Sequence, residues 1–416
     1  MISYIEGLNI IRSTARLLPS RSVPLFESLK EVCAERIVAK EETPPFDNSA
    51  MDGFAIKANT TLTATLASPV TLSVKGMIAA GECTDPLFSN EISAIEIMTG
   101  APIPSGADAV IRIEDVKIER GEDGTIGSIS ISRPVEVGDQ IRRSGEDFQI
   151  GDLIIEPGTR ILPHHIMTFA SQGIAQIPIR QRPRIAILTT GKELVPHDEF
   201  IQELPPGKIR NSNAPYLFAV LKLLGAEPLL YGTIPDDIRS FLVTLDRILD
   251  DSPDIIITTG AVSMGRFDFI AQALNQFGAK ILFHKVAIRP GKPILFAKLG
   301  DSPRAPVFFG LPGNPVSAAV GTRFFVEPYI RALLGQVDEK PISVPLLNSI
   351  SKKEGLRCFY KAKLEGNGVS ILKGQASFMT SPLLKSNAWA LLREGGEELE
   401  PGTSIEVVPL YPELTS

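Results

Sequence analysis

The spacing of apolar residues changes along the chain, and each change predicts a different kind of element. Residues 9–40 carry apolar positions at helical intervals. A break falls at Ser20-Arg21-Ser22-Val23-Pro24, and a second periodic run follows at Leu25, Leu29, Val32 and Ile37, which predicts a helix on each side. From about residue 60 to residue 145 the runs are short and β-like, at Val70–Val74, Ile92–Met98 and Ala109–Ile113, with glycine and proline between them. The stretch from Gly145 to about Arg180 returns to mixed character and is expected to pair with the amino-terminal helices as one discontinuous domain.

A sharper signal begins after Pro183. Arg184-Ile185-Ala186-Ile187-Leu188 is a continuous apolar run, as in a strand buried on both faces, and it ends in Thr189-Thr190-Gly191. A helix follows, with Asn211, Ser212 or Asn213 as its cap, Leu217, Val220, Leu221 and Leu224 as its stripe and Gly225 as terminator. A strand near Pro228–Tyr231 comes next, then a helix opened by Asp236 or Asp237 and carrying Ile238, Leu242, Leu245 and Leu249. A second buried strand, Asp254–Thr258, also ends in Thr-Thr-Gly. Alternation of this kind predicts a mostly parallel sheet that binds ligands beyond the carboxyl ends of its strands. From about residue 336 the pattern is again β, with Phe359–Leu364 and Val369–Leu372 flanking the hairpin signal Gly366-Asn367-Gly368.

The expected fold class is therefore multidomain α/β. Residues 1–44 with 146–182 form a discontinuous helical and mixed domain, 45–145 a β-rich insert, 183–334 a central α/β domain and 335–416 a small, barrel-like β domain. A length of 416 residues supports several cores. With 44% hydrophobic and 22% charged residues, extensive disorder is excluded. Cys33, Cys83 and Cys358 lie far apart, so neither a Cys-x-x-Cys ligand pair nor a disulfide framework is written, and a reducing compartment is expected. Residues 1–8 lack a basic leader and no apolar run approaches a membrane span, so a cytoplasmic protein without membrane partners is expected. The net charge of -6 argues against non-specific nucleic-acid binding and requires any anion site to be local.

Candidate chemistry concentrates in a few segments. Pro44-Pro45-Phe46-Asp47-Asn48-Ser49-Ala50-Met51-Asp52-Gly53 carries two carboxylates on a stretch that suits neither a helix nor a central strand, and reads either as a linker or as a ligand loop. Phe308–Ser317 reads as strand, rigid turn and helix start, with Asn314 as cap and Pro315 in the first turn. Unpaired amides near Val316 and Ser317 would favour a phosphate, unless the segment is only a well-capped crossover. Lys285, Arg289 and Lys292 are expected at a strand end and its turn, with Lys285 and Arg289 on one face. Glu193, Asp236, Asp237 and Asp268 supply oxygens suited to a hard cation such as magnesium. His164, His165, His197 and His284 have no zinc spacing, and neither a Gly-x-Ser-x-Gly elbow nor a Walker loop is present.

Asp47–Gly53, Ile97-Met98-Thr99-Gly100-Ala101-Pro102, both Thr-Thr-Gly turns, Arg289-Pro290-Gly291-Lys292-Pro293 and Gly310–Ser317 together, in this order, resemble the molybdopterin molybdenumtransferase family, to which the carboxy-terminal domain of gephyrin is similar. The resemblance spans about residues 44–390. It implies a molybdopterin-binding-like α/β domain and a homodimer whose active site lies between that domain of one subunit and the insert of the other. It also implies a reaction in which adenylylated molybdopterin and molybdate, with Mg2+, give molybdenum cofactor and AMP. It assigns catalytic roles to Asp52, Thr99, Glu193, Asp268, Lys285 and Arg289, and metal contacts to Asp52, Asp236, Asp237 and Asp268. Substrate contacts fall on Asp147, Thr190, Gly191, Thr259, Gly260, Ser263, Lys292, Pro312, Asn314, Pro315, Ser317, Lys361 and Ser377.

The resemblance further implies contact with molybdopterin adenylyltransferase and with maturation proteins of molybdenum enzymes. Three departures from the family pattern stand out. Arg289 replaces a lysine, Lys361 replaces an arginine, and Gln375-Ala376-Ser377-Phe378 replaces Gln-Gly-Ser-His. A lysine lacks the bidentate fork of a guanidinium, which makes Arg357 a second candidate for the oxyanion. Two other readings are an adenylyltransferase-like enzyme, which the segments at 47–53 and 97–102 disfavour, and a non-catalytic scaffold of the gephyrin type, which the set of acids disfavours.

Overall fold

The computed structural model describes residues 1–82, 93–198, 200, 203–261, 269–396 and 398–411. It divides into two compact units. One comprises Arg36–Glu156 with Leu162–Gln176, and the other Met1–Glu35, Pro157–Ile161 and Ile177–Ser416.

In the first unit, a mixed six-stranded sheet runs in the order Ala109–Arg112, Gly53–Ile56, Ser93–Ile97, Val70–Ile78, Ile126–Ile131, Val116–Arg120. Phe54, Ile56, Leu72, Ala94, Ile111 and Ile129 fill one of its cores. Gly53 opens a strand paired on both sides, and a β-carbon there would lie 2.0 Å from the Ile111 carbonyl oxygen, so only glycine fits. The segment before it is ordered, with Asn48–Ser49 a two-residue strand paired antiparallel with Ile141–Arg142. Ser49 donates its amide to the Ala101 carbonyl, Gly100 donates to Ser49, and Ile103 donates to Asp47.

The second unit is built on β1 (Arg184–Thr190), α1 (Asn213–Leu223), β2 (Glu227–Ile234), α2 (Ile238–Asp250), β3 (Ile255–Thr259), α3 (Ile270–Phe277), β4 (Lys280–His284), β5 (Leu295–Lys298), β6 (Val307–Leu311) and α4 (Pro315–Gly321). The strand order is β2-β1-β3-β6-β5-β4, with β2, β1, β3 and β6 mutually parallel and β5 antiparallel to its neighbours. Alternate residues of each strand serve opposite faces. Ile185, Ile187, Ile255, Ile257 and Phe309 pack with Leu217 and Leu221 of α1 on one side, and Ala186, Leu188, Ile256 and Phe308 pack with Phe241, Leu245, Ile270 and Leu274 on the other. The chain leaves β1 to one side for β2 and returns on the other side for β3, which places a topological switch point at the carboxyl ends of β1 and β3.

A carboxy-terminal sheet orders Ile288–Arg289, Arg357–Glu365, Ala388–Leu392, Ser404–Pro409 and Ile342–Pro345, with Gly368–Ile371 paired to Arg357–Glu365. Leu347 donates to the Val369 carbonyl at 2.9 Å and so closes the sheet on itself, giving the expected barrel-like form. Among the described residues, no helix is long and apolar enough to cross a membrane.

The amino-terminal segment differs from the expected pair of helices. The helix is Tyr4–Thr14, started by a capping box in which Ser3 and Glu6 bond each other's amides. The run at Leu25–Ile37 is not a second helix. Leu25–Ser28 is one 3-10 turn, and Val32 and Cys33 make antiparallel bridges to Arg160 and Ile179. Val32, Cys33 and Ala34 are buried consecutively while Phe26 is exposed, so pairing with neighbouring chain overrides the apparent period.

Candidate active site

The carboxyl ends of β1, β3 and β6 border a cleft of about 710 Å³. Thr190, Gly191 and Glu193 line it after β1, Thr259, Gly260 and Ala261 after β3, and Pro312, Gly313, Asn314, Pro315 and Ser317 after β6. Asp236, Pro293 and Phe378 complete its rim together with the segment Ile209–Asn213. Glycine lets the strand ends come this close. Gly260 has φ +101°, and a β-carbon on it would lie 2.6 Å from the Thr190 carbonyl oxygen and 2.7 Å from Thr190 Oγ1. That hydroxyl is buried and has no hydrogen-bond partner among the described residues, a cost that a bound ligand would relieve. A β-carbon on Gly191 would meet both Glu193 carboxylate oxygens at 2.7 Å, so the carboxylate folds over the glycine.

Three asparagines near the rim have different roles. Asn211, treated in the sequence only as a candidate cap, is buried. It donates to Thr189 Oγ1 at 2.9 Å and Thr233 Oγ1 at 3.3 Å, and accepts from the Ala214 amide at 3.1 Å, so it ties β1, β2 and α1 together. Asn213 donates to the Gly313 carbonyl at 2.8 Å and holds the turn after β6. Asn314 is the α4 cap by position, without a side-chain capping bond. Asn211, Asn213, Arg210 and Phe378 are lining residues that the sequence reading missed. The Asn-Ser-Asn run was the available signal.

The acids separate by role. Glu193 and Asp236 line the cleft, whereas Asp237 caps α2, accepting the Ser240 amide at 2.8 Å, a bond that lowers its pKa. Asp268 and Ser263 lie outside the described residues. Among the described residues, no three His, Cys, Asp or Glu side chains converge as a metal cage. Two cleft carboxylates nevertheless fit magnesium, which binds through one or two carboxylates with phosphate and water.

The basic segment is arranged differently from the expectation. Lys285 leaves β4 with φ +76°, and Arg289 sits on a separate two-residue strand, so they do not share a strand face. The segment folds back instead, with Lys285 donating its amide to Ile294 and Val286 to Lys292, each at 2.9 Å. This brings the backbones of Lys285 and Lys292 together. Gly291, at φ +104°, passes close to the Ser317 carbonyl, and Pro293 reaches the cleft.

Two expected anion contacts are already satisfied within the chain. The Val316 amide donates to the Ser377 carbonyl at 3.0 Å. Lys361 is fully buried, and its ammonium donates to the carbonyls of Gly374, Met379 and Ala376 at 2.7, 3.0 and 3.3 Å, leaving no proton for an oxyanion. Arg357 faces the Tyr4 ring at 5.1 Å and lies 3.9 and 3.8 Å from Glu394 and Glu406.

In the other unit, Asp52 and Thr99 meet. Asp52 Oδ1 accepts from the Thr99 amide and hydroxyl, each at 2.7 Å, and these bonds hold the carboxyl below its ordinary pKa. Asp47 instead pairs with Arg143 at 2.6 Å and accepts the Ser144 amide at 2.8 Å, which makes it a loop fastener. Asp147 is exposed and donates its amide to Thr43.

Three family regions match the chain in order: the MoeA N-terminal region, domains I and II, at residues 2–173, a probable molybdopterin binding domain at 186–332, and the MoeA C-terminal region, domain IV, at 343–410. The molybdopterin molybdenumtransferase of Synechococcus elongatus is 37% identical over 98% of this chain and 99% of its own. That of Bacillus subtilis is 36% identical over 93% and 89%. The crystal structure of the molybdopterin biosynthesis MoeA protein of Pyrococcus horikoshii superposes with TM-score 0.83 at 30% identity, covering 98% of this chain and 99% of that one. On these near full-length similarities and the ordered match of all three regions, the chain belongs to the MoeA family of molybdopterin molybdenumtransferases.

Proposed function

We propose that the protein is a molybdopterin molybdenumtransferase that converts adenylylated molybdopterin and molybdate, with magnesium, into molybdenum cofactor and AMP. The observation that carries this reading is the cleft at the switch point, where Gly191, Gly260 and Gly313 open the backbone to a ligand beside two carboxylates. Glu193 and Asp236 would hold magnesium, and that ion, when bound, neutralises charge on the phosphates. Lys285, Arg289 and Lys292 offset the remaining anionic charge of the substrates. Thr190 Oγ1 supplies a donor with no competing partner among the described residues. Asp52, kept ionised by Thr99, and Asp268 are proposed as further carboxylates of the reaction. No covalent nucleophile is required, because holding molybdate beside the pterin dithiolene during adenylate cleavage is a positioning task.

The proposal carries with it a homodimer, a cytoplasmic location, contacts with the adenylyltransferase and maturation proteins, and the four-domain division given above. Sedimentation tests the dimer. The reaction is tested by mixing protein, adenylylated molybdopterin and magnesium with or without molybdate and following AMP. Molybdate-stimulated release supports the assignment, and release indifferent to molybdate favours a generic phosphohydrolase.

A further inference from the structure

The carboxy-terminal sheet reaches the cleft through the loop that carries Phe378, and that loop is organised from inside by a lysine. Besides its three carbonyl bonds, Lys361 exchanges main-chain bonds with Gln375. Its amide donates to Gln375 Oε1 at 3.0 Å, and Gln375 Nε2 donates back to the Lys361 carbonyl at 2.9 Å and to Leu372 at 2.7 Å. The ammonium and the amide side chain together gather the carbonyls of Leu372, Gly374, Ala376 and Met379. A buried ammonium is tolerated only where its donors are satisfied, and here no carboxylate is within bonding distance among the described residues, so the carbonyl cage itself is what retains the charge. On its outer side the same loop seats the Ser377 carbonyl on the Val316 amide at the start of α4. The next residue, Phe378, is 69% exposed and stands in the cleft lining. An aromatic side chain left in solvent beside glycine turns has an open face for a flat ring.

We propose that Lys361 is a positioning residue: it fixes the loop at 374–379 so that Phe378 forms an aromatic wall of the cleft against a ring of the nucleotide-linked pterin. This rests on the function proposed above. It differs from the oxyanion contact that the resemblance assigns to this position, because the lysine acts on the substrate through Phe378 alone.

The test is a double-mutant cycle on the full chain with Lys361→Met, Phe378→Ala, their combination and Phe378→Tyr, read as AMP release against both substrates. Each single change is expected to raise KM for adenylylated molybdopterin by roughly two- to tenfold, the range of one aromatic contact. The double variant should be no worse than the poorer single variant, Phe378→Tyr should restore the wild-type value, and half-saturation by molybdate should not move. A rise in molybdate half-saturation with KM for the pterin unchanged, additive effects, or no effect in a folded variant would overturn it. If Lys361→Met does not fold, Gln375→Leu replaces it in the cycle with the same expected and overturning results. Wild-type release that ignores molybdate sinks the functional reading and this inference with it, whereas an active wild type with indifferent variants sinks the inference alone.

Discussion

Gly260→Ala probes the close approach of the two Thr-Thr-Gly turns. At φ +101° an alanine pays the left-handed penalty of about 1–2 kcal/mol. Its β-carbon would also sit 2.6 Å from a main-chain carbonyl oxygen that belongs to β1 and cannot rotate away, and overpacking of this kind adds about 1–3 kcal/mol. The expected loss is therefore about 2–5 kcal/mol. Gly278→Ala is the matched control, because its φ is +85° with nothing among the described residues within 4 Å of the added carbon, so only the dihedral term of about 1–2 kcal/mol applies. Urea unfolding followed by circular dichroism compares the two, and AMP binding by calorimetry reports whether the cleft survives. Adding Thr190→Ala to Gly260→Ala should recover little, since the carbonyl remains. If Gly260→Ala is no more destabilising than Gly278→Ala and binds AMP normally, the reasoning about converging strand ends is refuted.

Thr190→Val should leave stability unchanged or raise it by up to about 1 kcal/mol, because it removes an unpaired buried hydroxyl, while weakening AMP binding by calorimetry. Asn211→Ala severs three bonds tying β1, β2 and α1, and should cost about 2 kcal/mol in urea melts. Asp52 titrates below 3.8, because the Thr99 amide and hydroxyl favour its ionised form, so its contribution to stability is complete above pH 3.8 and fades as pH falls through the folded value. Carbon-13 NMR of the carboxyl should show that midpoint, and Thr99→Val should move it up towards 3.8. Glu193→Gln with Asp236→Asn should raise the magnesium concentration needed for half-maximal AMP release.

The central sheet was legible because its inner strands β1, β3 and β6 are buried on both faces and its helices carry clean stripes. Leu217, Val220, Leu221 and Leu224 stand where periodicity placed them, and Asp237 caps α2. The hairpin at Gly366-Asn367 was equally local, with Glu365 pairing Gly368. What local pattern could not reveal was pairing with distant chain. Val32 and Cys33 have helical spacing but meet Arg160 and Ile179 across more than a hundred residues. The capping box at Ser3 and Glu6 is likewise a local signal, a Ser-x-x-Glu spacing at the start of the helix.

The same distinction runs through the site. Glycine turns follow from motifs, since short turns dictate their own geometry, whereas the bonds between Asp52 and Thr99 join two motifs 47 residues apart. The fate of Lys361 depends on three carbonyls more than ten residues further along the chain, and burial decides it: desolvation pushes its pKa down to about 8, and the carbonyls occupy its protons. Lys285 and Arg289 lost their expected strand register because Lys285 is itself left-handed, at φ +76°, and the chain after it bonds back on itself.

The central claim is that the cleft beyond β1, β3 and β6 holds the nucleotide-linked pterin, and a crystal structure with AMP and magnesium tests it most directly. The account predicts ligand density against Gly191, Gly260, Gly313 and Phe378, with Thr190 Oγ1 in hydrogen-bond range of the ligand. Density instead in the adjoining, more apolar hollow lined by Pro196, Phe218 and Leu230, with the glycine turns empty, would contradict it.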